Sequence, residues 1–144
     1  MDDATGRLAV SRWVVRHQVF IFYGNGGRFA GESFERWFAQ LSAASNLRLY
    51  VGAAGHDFSF EPAERTRGTE LFKRKGLRFA AITESVRLRL LGSTARLVGM
   101  NLGLYSWADS RRAFAEISAP APIVEELHNT LLGLRAEVDR EIGH

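Results

Sequence analysis

The chain has 144 residues, the length of one ordinary domain, and 46% of them are hydrophobic, enough to fill a single core. The absence of cysteine excludes disulfides, thiolate metal sites and a cysteine nucleophile; no apolar run reaches the roughly 18 residues of a membrane span, and MDDATGRLAV offers no apolar signal region, so a cytoplasmic location is expected. The net charge of +3 is uneven, with nine Lys/Arg against four acids over residues 61–100 and four against seven over residues 101–144, which predicts a basic face and an acidic tail.

Arg7–Val15 and Val19–Tyr23 read as two β segments joined by the polar turn Arg16-His17-Gln18, with a hairpin as the simplest connection. The second segment, VFIFY, is apolar throughout, as a strand buried on both faces would be. GNGGRFAG follows as a flexible loop. Glu32–Ser42 then places Phe34, Trp37, Phe38 and Leu41 at i, i+3, i+4 and i+7, the strongest amphipathic helix of the chain.

Asn46–Ala53 reads as a third strand, GHDFS as a loop, and residues 60–75 as a helix whose start is marked by Ser59 and Pro62. Gly76 ends that helix after Lys73-Arg74-Lys75, three cations suited to the negative end of the helix dipole. Leu77–Ile82 is a fourth strand. VRLRL alternates like a strand, but Ser85 as a cap and Leu91, Ala95 and Val98 on one stripe favour a helix over residues 86–99. Leu102–Trp107 is the fifth strand, and the intervening helix is long enough to be a crossover between parallel neighbours, which need about a dozen residues. Asp109 caps a short helix containing Phe114 and Ile117, APAP breaks the chain at Ala119–Pro122, and one more helix follows.

The expected architecture is therefore α/β: a mixed sheet of four or five strands covered by helices, with residues 1–118 as the main body and residues 119–144 as an amphipathic helix appended to the same domain. Residues 102–107 are expected to run parallel to residues 77–82, with the helix between them on one face.

This element order, together with FSFEPAER after the third strand, FAAITES followed by a helix, and a short strand ending in an aromatic before DSRRAFAEI, resembles the sulfate-transporter and anti-sigma-factor-antagonist family, the STAS domain. The nearer likeness is to its divergent stand-alone bacterial members, and it covers residues 8–118. The resemblance implies a non-enzymatic regulatory module that works by binding a protein partner, in anti-sigma-factor or related bacterial signalling. It also implies a phosphoacceptor at the start of the helix after the third strand, where Ser59 falls. Phosphate there would add about −1.5 to −2 charges to a docking surface. The surroundings depart from the family pattern, because Glu61 would repel a phosphate and Pro62 withholds a backbone donor. Ser59 thus reads either as a phosphoacceptor or as a plain helix cap.

Other chemistry is sparse. GNGG at Gly24–Gly27 lies where a phosphate loop would, yet lacks the Lys-Ser/Thr of a P-loop and the spacing of a dinucleotide fingerprint. His56, Asp57 and Ser59 sit too close in sequence for the separated geometry of a triad. His17, His128 and His144 show no metal-ligand spacing, so neither metal nor cofactor is expected. The basic residues come without a nucleic-acid motif or stacking aromatics, and no nucleic-acid partner is expected. No nucleophile and base cluster in a way that suggests an enzyme.

Two features point to binding. Val124, Leu127, Leu131, Leu134 and Val138 follow the 3-4-3-4 spacing of a helix docked on a surface, which would be the chain's own sheet, a second copy in a homodimer, or a protein partner. The aromatics Phe20, Phe22, Phe34, Trp37, Phe38, Phe72, Phe79 and Phe114 suit a core and equally the wall of a pocket. An apolar-ligand or lipid-type carrier is the alternative to the interaction module.

Overall fold

The computed structural model of the protein describes residues 7–143; the acidic segment before them and His144 lie outside the described residues. Strands β1 (Ser11–Arg16) and β2 (Val19–Gly24) form the expected hairpin, closed by His17 and Gln18, both at positive φ as a two-residue turn between twisted strands requires. The elements that follow are β3 (Gly27–Arg28), α1 (Gly31–Ala43), β4 (Leu49–Ala54), β5 (Phe58–Ser59), α2 (Pro62–Lys75), β6 (Phe79–Ile82), α3 (Val86–Leu97) and β7 (Leu102–Tyr105). A 3-10 turn (Trp107–Asp109), α4 (Ser110–Phe114), a second 3-10 turn (Ala115–Ile117) and α5 (Ala121–Glu141) complete the chain.

The main sheet has the order β1-β2-β4-β6-β7, antiparallel at β1/β2 and parallel elsewhere. The predicted pairing of the fourth and fifth strands holds, with Phe79 opposite Leu102 and Ile82 opposite Tyr105. From β2 onward the sheet grows in one direction, and right-handed crossovers then place α1, α2 and α3 together on one face. Phe34, Trp37 and Leu41 of α1 and Leu71 and Phe72 of α2 accordingly share a core with Phe20, Phe22 and Tyr50 from that face of the sheet. Arg67 of α2 ties the two helices, its guanidinium 4.4 Å from the Phe38 ring and paired with Glu35.

The helix ends follow the sequence signals. Ser85 Oγ accepts from Leu88 N at 3.0 Å, so the cap decides the helix reading of VRLRL. Gly76 stops α2 in the left-handed region, φ 61°, and its N–H bonds back to Lys73 at 3.1 Å. One expectation needs correction at this level. Gly24–Gly31 is not simply a flexible loop, because Gly27 and Arg28 pair in parallel with Phe58 and Ser59 in a second, two-stranded sheet. Asp109 stands at the cap position of α4 as expected but makes no side-chain cap bond; the bonded cap is one turn earlier, where Ser106 Oγ accepts from Asp109 N at 3.3 Å at the start of the 3-10 turn.

The opposite face of the sheet carries Val19, Ile21, Leu49, Val51, Ala80 and Ile82, and it is covered by α4 and α5. Val124, Leu127, Leu131, Leu134 and Val138 all lie in that core, with Leu127, Leu131 and Val138 fully buried. The seam is therefore not a partner or dimer surface, since the protein's own β1 and β2 occupy it. At its margin the ion pair of Arg12 with Glu141 and the hydrogen bond between His17 and Glu126 tether the helix to the hairpin.

Because Leu131 is at the centre of this packing, Leu131→Ala should cost about 2–5 kcal/mol through lost burial and the cavity left behind. Chemical denaturation measures it; a loss below about 1 kcal/mol would show that α5 is not part of the cooperative core.

Candidate functional site

The helical face that holds α1, α2 and α3 is not filled evenly. Strand register aligns Phe20, Tyr50, Phe79 and Leu102 in one row across β2, β4, β6 and β7, all of them bulky. Two residues further along each strand, on the same face, the row reads Phe22, Gly52, Ala81, Leu104, with two of the smallest side chains in the middle. A cavity of about 550 Å³ opens above this second row. Its walls are Phe22, Phe29, Phe34, Trp37, Phe58 and Phe60 at one end, Gly68 and Phe72 of α2 along one side, and Leu88, Leu91, Ala95 and Val98 of α3 along the other.

The helix on the outer side makes the cavity possible. Helix α3 packs chiefly against the edge strand β7, and none of its residues is fully buried. Gly92 sets the approach: a Cβ there would lie 2.9 Å from Leu102 Cδ2 and 3.0 Å from Leu104 Cδ2. The helix is thus held close to β7 at one point while its inward residues span open space. Gly52 keeps the floor low in the same way, a Cβ there meeting Tyr50 and the Phe79 ring at 2.9–3.0 Å.

Polar groups in the cavity are few. Trp37 Nε1 donates to the Tyr50 hydroxyl at 2.9 Å, and burial holds the Tyr50 phenol well above its ordinary pKa, so it stays protonated. Thr83, also lining the cavity, uses its Oγ1 to accept from Ser85 N at 3.0 Å. The charged residues of the lining, Glu64, Arg65 and Glu70, all belong to α2.

Ser59 lies in β5, between Phe58 and Phe60, whose rings line the cavity and stack at 6.0 Å. Strand alternation turns the serine to the other side. The cap position of α2 is Glu61, without a side-chain cap bond, so the reading of Ser59 as helix cap is corrected: Pro62 opens the helix and leaves Ser59 in the strand before it. The Asp57 carboxylate accepts from Ser85 Oγ and pins the start of α3. The GNGG segment is no phosphate cradle, because Asn25 N bonds to Val10 O at 3.1 Å and Gly27 N to Asp57 O at 2.8 Å. Among the described residues no group of three His, Asp or Glu converges as a metal site, and no helix is long and apolar enough to cross a membrane.

Two polar clusters escaped the sequence reading. Glu116 accepts from Arg78 Nε at 2.8 Å and from the Tyr105 hydroxyl, locking the 3-10 turn after α4 to the start of β6 and the end of β7. Ser110 Oγ and His128 Nε2 lie 2.8 Å apart, buried between α4 and α5, and His128 Nδ1 has no partner. Neither residue lines the cavity, and both are more than nine-tenths buried, so the pair reads as interior polar packing. Eighteen positions separate the two, and no spacing rule connects them. Compared with known proteins, the chain matches no family model and no curated sequence.

Burial, reinforced by the nearby Arg111, pushes the His128 imidazole below its ordinary value, against a smaller opposing effect of Glu125. In the unfolded chain the same ring takes a proton at about pH 6.5, so the unfolded state binds more protons as pH falls through that value. Stability should therefore decline as pH drops from about 6.5 toward the lower folded-state value, and be fully retained above it. Denaturation across this range with the wild type and His128→Gln checks it: the slope should flatten in the variant, and an unchanged slope would assign it to other groups.

Proposed function

We propose that the protein is a STAS-like, non-enzymatic binding domain whose ligand is an apolar molecule of acyl type held in the cavity between the sheet and α2/α3. The observation that carries this reading is the Phe22-Gly52-Ala81-Leu104 row. A packed α/β core would place branched side chains at its two central positions, and interiors seldom leave voids larger than a water molecule. The volume of about 550 Å³ instead falls in the range of pockets that hold small organic ligands. The wall is mostly aromatic and aliphatic, which favours a chain or ring without charge, while polar groups on α2 suit a head group left at the opening.

A regulatory role through a protein partner, which the family resemblance implies, is the second reading, and Ser59 is the feature that favours it. Phosphate added to Ser59 would sit in the short strand β5, between the cavity-wall phenylalanines Phe58 and Phe60. Modification and ligand binding would then act on the same short segment.

Titration with a fluorescent long-chain acyl probe tests the main reading, with native mass spectrometry giving the stoichiometry. One probe should bind per chain, and Ala81→Phe, which fills the middle of the floor, should weaken it about tenfold or more while the melting temperature stays near that of the wild type. Absence of saturable binding, or unaltered affinity in a folded Ala81→Phe variant, would overturn the assignment.

A further inference from the structure

Helix α3 carries a second apolar stripe that the cavity does not use. Leu88, Leu91 and Ala95 point inward, whereas Val86, Leu90 and Leu97 are 73%, 64% and 87% exposed. At 100° per residue these three fall within about 40° of one another on the outer face. Arg87 lies about 80° to one side of that stripe, and Arg89 and Arg96 lie about 80–100° to the other. No acid occurs between residues 85 and 108, so the helix and its flanks offer three cations with no internal counter-charge. The preceding Glu84 is engaged with Trp107 N at 2.6 Å.

Single exposed apolar residues need no explanation, but an aligned set bordered by arginines on both sides does. We propose that the outer face of α3 docks on an anionic lipid surface, with Val86, Leu90 and Leu97 entering the interface and Arg87, Arg89 and Arg96 reaching the phosphates. Arginine stems can lie along the apolar stripe while their guanidinium groups stay at head-group level. A second copy of the chain is a poorer occupant. A two-fold contact through α3 would face arginines with arginines, and a helix about 18 Å long buries far less than the roughly 1,200 Å² of a stable interface. Docking would lay the helix that walls the cavity against the bilayer, so that an acyl chain could pass between them. That last step rests on the reading of the cavity given above; the docking does not.

Co-sedimentation with vesicles of phosphatidylcholine alone and of phosphatidylcholine mixed with phosphatidylglycerol separates the terms. The protein should pellet with the mixed vesicles, release at raised salt, and bind neutral vesicles weakly. The triple variant Arg87→Gln, Arg89→Gln, Arg96→Gln should lose about a hundredfold in affinity for the mixed vesicles. Leu90→Ser with Leu97→Ser should lose about tenfold. All these positions are outside the core, so melting temperatures should be unchanged, and binding of the acyl probe in solution should persist in both variants if the cavity is the ligand site. Failure of probe binding with vesicle binding intact would count against the cavity alone. Equal pelleting of wild type and variants, no pelleting of the wild type, or a dimer in solution abolished by Leu90→Ser would each overturn the membrane-docking proposal, the last in favour of self-association.

Discussion

The handedness of the crossover connections is the constraint on which the rest of this structure depends. Four parallel strands added in one direction force every connecting helix onto the same face of the sheet. The opposite face, with Val19, Ile21, Leu49, Val51, Ala80 and Ile82 along it, would then be open to water. Helices α4 and α5, which follow the last strand, supply most of its cover, with Val10 before β1 packed at its margin. A row of five apolar residues that would suit a dimer in isolation is consumed by the protein's own fold.

The same constraint loads the other face. Three helices must cover it, and the aromatic residues of α1 and α2 fill the part over β2 and β4, where Tyr50 meets Phe72 and Phe79 at ring separations of 4.8 Å. Helix α3 reaches only the edge, where it closes on β7 at Gly92. Between these two regions the floor is made of Gly52 and Ala81, and nothing long enough to fill the space stands above them. The cavity thus results from a local shortage of side-chain volume, placed where the helix roof is least anchored.

How much of this could be read from the chain depends on the range over which each signal acts. The hairpin, α1, the Gly76 stop and the Ser85 cap are local, and each appears where the residues indicate. The short strands β3 and β5 have two residues each, and they are stabilised by pairing across 31 positions, Gly27 with Phe58 and Arg28 with Ser59, which no periodicity reveals. That pairing also explains the misplacement of Ser59, since a serine three residues before a proline at a helix start looks like a cap until its strand partner is known. The spacing of the terminal seam is the same for a helix docked on a sheet as for one docked on a partner, so topology and not pattern decides between them. Gly52 and Ala81 are unremarkable in sequence and form a cavity floor only through register.

Helix α3 illustrates how a sequence can be ambiguous for a physical reason. VRLRL alternates because successive apolar residues serve opposite sides of one helix, Leu88 and Leu91 facing the cavity and Val86 and Leu90 facing out. A helix that merely covered a core would carry polar residues on its outer side and show a single apolar stripe. Two stripes separated by arginines are expected instead of an element with apolar surroundings on both sides, one supplied by the fold and the other by whatever it meets. The weak strand-like signal and the solvent-facing leucines therefore have one origin, and an anionic lipid surface satisfies both the leucines and the arginines at once.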